Sequence, residues 1–259
     1  MNRNNPIGIF DSGVGGLSVL KAIHQLMPNE NLIYLADSEF VPYGNKSEQQ
    51  IEERVMAITE FLAAKQVKAI VVACNTATAA AANTLRNKYS IPIIGLEPAL
   101  KPASESTACH RVGVLATQST LDSQKYQELK SKYGKQIQLV EKASPLFVEL
   151  VETAPEITGT EMQLIEKELS PFKEAKIDSL VLGCTHYPFL TEAIAQIMGE
   201  NVTLFESGFP VAKEVQRRLQ DNLNDAQGAG RIEYYSSNPP KSQATFDRLL
   251  GKTVYINRF

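Results

Sequence analysis

The sequence predicts an α/β protein of two similar domains, each with a largely parallel sheet flanked by helices, and an active site in the cleft between them. First, short apolar runs alternate with amphipathic segments along most of the 259 residues, as in folds built from strand–helix–strand units. Second, the chain resembles itself: segments 7–12 and 70–76 align with 112–117 and 180–186, at offsets of 105 and 110 residues. A cysteine follows the apolar run in both later segments, so each half is expected to supply one thiol.

The first half is predicted to begin with a strand, a glycine-rich turn and a helix. Ser47 and Gln50 have the spacing of a capping box, which indicates where the second helix starts. The unbroken apolar run that ends at Cys74 is typical of a strand covered on both faces. The predicted strands are 7–10, 69–74 and 91–95, and the predicted helices are 17–27, 47–65 and the alanine-rich 77–85.

The second half is predicted to repeat this alternation. Gly134 is placed to close one helix, and Thr160 with Gln163 has the spacing of a second capping box. The predicted strands are 112–116, 137–140, 180–184 and 202–205, and the predicted helices are 121–133, 145–152, 160–173 and 188–198.

Composition narrows the classes of function. Hydrophobic residues make up 43% and charged residues 21% of the chain, which is ordinary for a globular protein. The net charge is −3 and the basic residues are scattered, so no nucleic-acid partner is expected. No segment has the length of a membrane span or a signal peptide, and the three widely spaced cysteines indicate free thiols in a reducing compartment. A cytoplasmic location and no membrane partner are expected.

The residues that end the apolar runs are the candidates for chemistry. In open α/β sheets, ligands bind beyond the carboxyl ends of the strands. Those ends carry two thiols, a carboxylate, an imidazole and several small polar side chains: Asp11, Ser12, Cys74, Asn75, Thr76, Thr117, Cys184, Thr185 and His186.

The two thiols indicate proton transfer. A thiol has an ordinary pKa near ~8.5, so modest tuning lets it exchange protons near neutral pH. Cys74 and Cys184 on opposite sides of a bound amino acid could remove and return an α-proton. His186 lies two residues after Cys184, and in an extended segment both would point the same way. Asp11 is expected to assist Cys74 similarly, whereas Cys109 has no partner motif.

Two loops are further candidates. The turn 11–16 follows a strand and opens a helix, but its glycine spacing differs from the dinucleotide-binding pattern. A small carboxylate resting on the amides of this turn fits it better. The loop 41–44 reads either as an ordinary turn with a packed tyrosine or as a wall of the substrate pocket.

Other readings stay open at this point. A zinc site built on Cys74, Cys184 and His186 lacks the paired spacing of common zinc sites. A Cys–His hydrolase or amidotransferase would need only one thiol beside the imidazole. A binding module would leave both cysteines unexplained, and no lysine motif indicates a pyridoxal phosphate enzyme.

The motifs, taken together, resemble those of the glutamate racemases in the cofactor-independent aspartate/glutamate racemase superfamily. The resemblance covers nearly the whole chain and rests on IFDSGVGG at 9–16, PYG at 42–44, ACNTA at 73–77, PLFV at 145–148 with Glu152, and GCTHYP at 183–188. It implies racemisation of glutamate with no cofactor and no metal, supplying D-glutamate for peptidoglycan. Aspartate racemase, or another isomerase of the superfamily, is the nearest alternative.

The resemblance also implies roles and boundaries. Cys74 would act on the α-proton of the D-enantiomer and Cys184 on that of the L-enantiomer, assisted by Asp11, His186 and Glu152. A domain of residues 1–98 plus 209–259 and a second of 99–208 are expected, as is a homodimer. The residues implied to hold the substrate are Asp11, Ser12, Pro42, Tyr43, Gly44, Asn75, Thr76, Thr117 and Thr185.

Overall fold

The computed structural model describes residues 2–224 and 228–259. Met1 and residues 225–227, which fall inside the predicted first domain, lie outside the described residues. Within the described ranges the chain forms ten strands, namely β1 (Ile7–Asp11), β2 (Leu32–Ala36), β3 (Ala69–Val72), β4 (Ile93–Gly95), β5 (Arg111–Ala116), β6 (Gln138–Ala143), β7 (Ser179–Gly183), β8 (Thr203–Phe205), β9 (Ile232–Ser236) and β10 (Ile256–Arg258).

Helices connect the strands. The α-helices of the described residues are α1 (Leu17–Leu26), α2 (Glu48–Ala64), α3 (Asn75–Lys88), α4 (Leu100–Ser106), α5 (Gln118–Asp122), α6 (Gln124–Tyr133), α7 (Pro145–Thr153), α8 (Gly159–Glu174), α9 (Thr191–Met198), α10 (Gly208–Leu219) and α11 (Pro239–Leu250). Short 3₁₀ turns cover Tyr43–Asn45, Tyr187–Leu190 and Gln220–Asn222. None of these helices is long and apolar enough to cross a membrane.

The strands form two separate sheets, each with only parallel pairs. The first has the order β10-β9-β2-β1-β3-β4 and the second the order β6-β5-β7-β8. The four strands of the second sheet repeat the order β2-β1-β3-β4 of the first. The pairs of segments that align in sequence therefore occupy equivalent places, β1 with β5 and β3 with β7. The predicted α/β fold with two similar parallel sheets is confirmed.

The sheets are covered on both faces, which explains their apolar runs. Every residue of β1, β3 and β7 is buried, as expected for parallel strands between two layers of helices. The C-terminal segment returns to the first sheet, since β9 pairs with β2 and β10 pairs with β9. The exact domain boundaries at 98/99 and 208/209 stay a prediction.

Three local predictions were wrong in detail. The capping pair of α8 is Thr158 with Glu161, two residues before the predicted pair, because the Glu161 carboxylate accepts from both the amide and the hydroxyl of Thr158. The predicted helix 121–133 is two helices, since Ser123 is extended and its side chain caps the second one. The predicted helix 188–198 begins as a 3₁₀ turn and becomes α-helical only at Thr191.

Candidate active site

The site lies where each sheet reverses its strand order. In the first sheet β2 lies on one side of β1 and β3 on the other, and in the second sheet β6 and β7 flank β5 in the same way. At such a reversal a crevice opens beyond the carboxyl ends of the strands, here β1 with β3 and β5 with β7. Ser12, Thr117 and Cys184 directly follow β1, β5 and β7, and Cys74 lies two residues after the end of β3. The predicted position at the carboxyl ends of the strands therefore brings residues of both sheets to one place.

A single pocket collects most of the predicted residues. Its lining residues are Ser12, Pro42, Tyr43, Gly44, Cys74, Asn75, Thr76, Thr117, Thr120, Val148, Gly183, Cys184, Thr185 and His186. Asp11 and Glu152 stand behind this lining, while Cys109 is outside it. Three wall residues, Thr120, Val148 and Gly183, were not predicted individually, although Val148 belongs to the PLFV motif and Gly183 to the GCTHYP motif. Both thiols are nearly enclosed, with 6% of Cys74 and 8% of Cys184 exposed.

Cys74 caps a helix and does not end a strand. β3 stops at Val72, and the amide of Ala77 donates to Sγ of Cys74 over 3.4 Å at the first turn of α3. The thiol also lies 3.9 Å from Oγ of Ser12. Burial raises the pKa of Cys74 well above its ordinary value, and the charges of Asp11 and Cys184 raise it further. The protonated thiol is thus the favoured form of Cys74.

Asp11 connects the two sheets behind Cys74. Its Oδ1 accepts the Ser12 amide (2.6 Å) and hydroxyl (3.3 Å), and its Oδ2 accepts the Thr185 hydroxyl (3.0 Å). The side chain has no exposed surface. Burial raises the pKa of Asp11 above its ordinary value, although His186 and the hydrogen bonds oppose this. Its predicted place beside Cys74 is what the structure shows.

Cys184, His186 and Glu152 form a chain of contacts. Sγ of Cys184 is 3.7 Å from Nδ1 of His186, and Nε2 of the same ring is 2.7 Å from Oε1 of Glu152. The prediction that residues 184–186 are extended is wrong. They form a turn, and the turn brings ring and thiol together. Burial opposes charge on His186, but hydrogen bonds and charges of Cys184 and Glu152 raise its pKa well above the ordinary value.

The glycine-rich turn binds a carboxylate that belongs to the protein itself. The Val14 amide donates to Oε1 of Glu152 over 2.9 Å, so this oxygen lies between Val14 and His186. A Cβ at Gly13 would be 2.0 Å from Oε1, and one at Gly15 would be 2.3 Å from Nδ1 of His186. The turn is therefore glycine-rich because Glu152 and His186 approach its backbone closely.

The 42–44 loop presents its backbone and the Tyr43 ring to the pocket, because the Tyr43 hydroxyl is already hydrogen-bonded elsewhere. Tyr43 is buried, and its hydroxyl donates to Oδ2 of Asp37 over 2.6 Å. Arg54 holds the same carboxylate with two hydrogen bonds of 3.0 and 2.8 Å. Asp37 and Arg54 were not predicted, because neither belongs to a motif and only the fold brings them to this loop. Across the cleft, Ser119 donates to the Gly44 carbonyl over 2.9 Å.

The polar wall has one acceptor left over. Thr76 and Thr117 lie 3.1 Å apart through their hydroxyls, and Thr117 reaches Thr120 over 2.8 Å. In the part of the chain that the structure describes, Oδ1 of the buried Asn75 has no hydrogen-bond partner. A buried acceptor without a partner costs free energy, so a ligand donor at this position would be stabilising.

The described residues hold no group of three or more His, Cys, Asp or Glu side chains placed to bind a metal ion. Cys184 and His186 are close, but Cys74 comes from the other sheet and faces Ser12 and the α3 amide. The arrangement is thus one of two separate thiols, each with its own polar partners, around a small closed space.

Comparison with known proteins gives consistent matches. The family described as Asp/Glu/hydantoin racemase matches residues 7–211. The glutamate racemase of Ectopseudomonas mendocina is 44% identical over all of this chain and all of its own. The crystal structure of glutamate racemase isoform RacE1 from Bacillus anthracis has a TM-score of 0.89 at 32% identity, covering 100% of this chain and 98% of its own. That of Escherichia coli glutamate racemase in complex with L-glutamate and the activator UDP-MurNAc-ala has a TM-score of 0.88 at 34% identity, covering 98% and 97%.

The family match spans well over half of the chain, and the curated relative is similar from end to end. The fold agrees with that match. The chain belongs to the Asp/Glu/hydantoin racemase family.

Proposed function

We propose that the protein interconverts L- and D-glutamate without a cofactor, using Cys74 and Cys184 as its two acid–base groups. The observation that carries the proposal is that both thiols line one closed pocket and approach it from equivalent positions of two sheets. The names of the similar proteins support glutamate as the substrate.

Inversion needs one base and one acid on opposite faces of the α-carbon. Starting from L-glutamate, the Cys184 thiolate removes the α-proton, and the electron pair of the broken bond moves toward the α-carboxylate. The Cys74 thiol then gives its proton to the other face, which leaves D-glutamate, a Cys74 thiolate and a Cys184 thiol. The reverse reaction exchanges the two roles, so every proton is accounted for.

Each thiol has its own assisting groups. For Cys184, an imidazolium at His186 places positive charge 3.7 Å from Sγ, and Glu152 holds the far nitrogen of the ring. For Cys74, Asp11 lies behind Ser12 and its charge favours the protonated thiol. Because Cys184 and Cys74 have different assisting groups, the two halves of the site are chemically unequal, although the sheets are alike.

The remaining pocket residues suit an amino acid with two carboxylates. Oδ1 of Asn75, which has no partner among the described residues, is proposed to accept from the substrate ammonium. Hydroxyl and amide donors at one wall are proposed to bind the carboxylates, namely those of Ser12, Gly44, Thr76, Thr117 and Thr185. Pro42 and Tyr43 complete this wall.

The proposed role follows from the product. D-glutamate would be supplied in the cytoplasm for peptidoglycan synthesis, and the expected homodimer stays a prediction.

Proton NMR tests the proposal. L-glutamate and L-aspartate are incubated separately in D₂O with reduced, metal-stripped enzyme, and the products are resolved on a chiral phase. Loss of the glutamate α-proton signal together with D-glutamate is expected, with little change in aspartate. Exchange of aspartate alone would keep the mechanism and change the substrate. No exchange of either would contradict the proposal and favour a Cys–His hydrolase.

A further inference from the structure

The end of the helix that carries Glu152 is held by a distant part of the chain. α7 ends at Thr153, and the last carbonyls of any helix lack partners inside it. Here the Thr245 hydroxyl donates to the carbonyl of Glu152 over 2.9 Å, and Nη2 of Arg248 donates to that of Val151 over 2.5 Å. Two side chains of α11 thus satisfy the final turn of α7.

This contact joins the two sheets. In chain order α7 comes between β6 and β7 of the second sheet, whereas α11 comes between β9 and β10 of the first. The positive guanidinium of Arg248 at the C-terminus of α7 also has the favourable sign for the helix dipole. The carboxylate that contacts His186 therefore has its backbone fixed from the opposite sheet.

The same helix supports the other partner of Glu152. Phe246 of α11 is fully buried, and its ring packs edge-on against Tyr34, with the ring centroids 5.8 Å apart. The Tyr34 hydroxyl donates to the Gly13 carbonyl over 2.7 Å, next to the Val14 amide that binds Glu152. α11 thus supports both partners of the Val14–Glu152 hydrogen bond: Glu152 through the end of α7, and Val14 through Tyr34 and Gly13.

We propose that Thr245 and Arg248 are positioning residues of the acid–base site, which fix the last turn of α7 so that Oε1 of Glu152 stays between Val14 and His186. They touch no reacting atom and act through Glu152. This inference rests on the proposed function, in which His186 and Glu152 serve Cys184.

The first test replaces each donor with a side chain of similar shape. Thr245→Val and Arg248→Met are each expected to lower kcat for glutamate racemisation about tenfold, because small displacements of an acid–base group are costly. KM is expected to change less than about twofold, since neither residue lines the pocket. Thr245→Ser and Arg248→Lys keep a donor and are expected to restore most of kcat.

Gln243→Met provides the matched control on the same helix. Gln243 binds Asp247 and the Val254 carbonyl, so this change loosens α11 without touching α7. It is expected to lower the melting temperature and leave kcat unchanged. Equal losses of kcat in Gln243→Met and Thr245→Val would overturn the proposal, because they would show a general effect of helix stability.

A double-mutant cycle gives the decisive reading. In a Glu152→Gln background, Thr245→Val and Arg248→Met are expected to change kcat by less than about twofold, because residues that act through one group are not additive. The same tenfold losses in that background would overturn the positioning role. Wild-type enzyme is run alongside: lack of racemisation there would contradict the proposed function, whereas normal wild-type turnover with unaffected variants would contradict only this inference.

Discussion

Asp11 is an ionisable side chain with no exposed surface at the end of a buried strand. Its oxygens accept hydrogen bonds from Ser12 and Thr185, but burial still raises its pKa. A carboxyl group in such a place costs stability, as is common for residues kept for function.

Asp11→Asn is therefore expected to stabilise the protein and to slow it. The folded-state pKa of Asp11 lies above its ordinary value of 3.8, so the folded state binds this proton more tightly than the unfolded chain. Stability consequently falls as the pH rises through the interval above 3.8. Urea unfolding at neutral pH should show a gain on the order of 1 kcal/mol, with lower kcat.

The pH dependence provides the check on this explanation. Well below pH 3.8 the carboxyl is protonated in both the folded and the unfolded state, so the gain from Asp11→Asn should vanish there. A gain that is equal at both pH values would show that the buried charge is not its cause.

Cys74→Ser and Cys184→Ser are each expected to lower kcat/KM at least about a hundredfold, because a hydroxyl is a far weaker acid than a thiol. The loss in kcat/KM must be the same from L- and from D-glutamate, since enantiomers have equal free energies. Polarimetry from both enantiomers measures it. Cys109→Ser, which changes a thiol outside the pocket, should keep wild-type kinetics; normal turnover in either of the first two variants would contradict the two-thiol mechanism.

Among the elements, strands were predicted best where the apolar run is unbroken. β1, β3, β5 and β7 were all predicted, since burial on both faces leaves an unbroken apolar run. β2 was not predicted from the sequence, nor were the strands and helices after residue 208. The return of this last segment to the first domain was expected only from the family resemblance. β2 is an interior strand as buried and as apolar as these four, so the same pattern would have predicted it, whereas β10 lies at the sheet edge, is only partly buried and carries a weaker pattern.

A buried ion pair lies near the amino ends of β2 and β3, at the edge of the sheet opposite the thiols. Nζ of Lys68 lies 2.6 Å from Oε2 of Glu30, with no exposed side-chain surface, and it donates to the carbonyls of Arg3 and Asn222. Lys68 precedes β3 and Glu30 precedes β2, so the pair lies away from the thiols.

Lys68→Met is expected to destabilise the protein by about 3–5 kcal/mol, because it leaves a buried carboxylate unpaired. Urea unfolding measures the loss, and kcat of the folded enzyme should not change. The matched control is Lys88→Met, whose pair with Glu60 is exposed and is expected to contribute less than about 1 kcal/mol. Equal effects of the two changes would contradict the explanation.

At the scale of the whole molecule, the pocket is closed across the cleft. Ser119 donates to the Gly44 carbonyl, and Thr76 contacts Thr117, so hydrogen bonds link the two halves directly over the site. Only 6% and 8% of the two thiols are exposed, so we expect entry of a substrate to require opening of the cleft and of these contacts.

Ser119→Ala removes one of these links, whose net contribution is about 1 kcal/mol. Alkylation of the pocket thiols by iodoacetamide is expected to become a fewfold faster, and KM for glutamate to rise by a similar factor. Ser104→Ala is the control, since Ser104 donates to the Lys101 carbonyl within α4. An alkylation rate equal to that of the wild type would show that this contact does not limit access.

The fold class, the repeated halves and the two thiols could be predicted from the sequence, because apolar periodicity and residue chemistry are local properties. Asp11, Ser12 and His186 were also predicted at the correct edge, since parallel strands share their carboxyl ends. Which groups pair with one another depends on how the folded chain packs. Glu152 fills the glycine-rich turn, Asp37 with Arg54 holds the 42–44 loop, and α11 fixes the end of α7. These contacts join residues from 17 to 138 positions apart, and the distance between such residues is set by packing and not by any pattern along the chain.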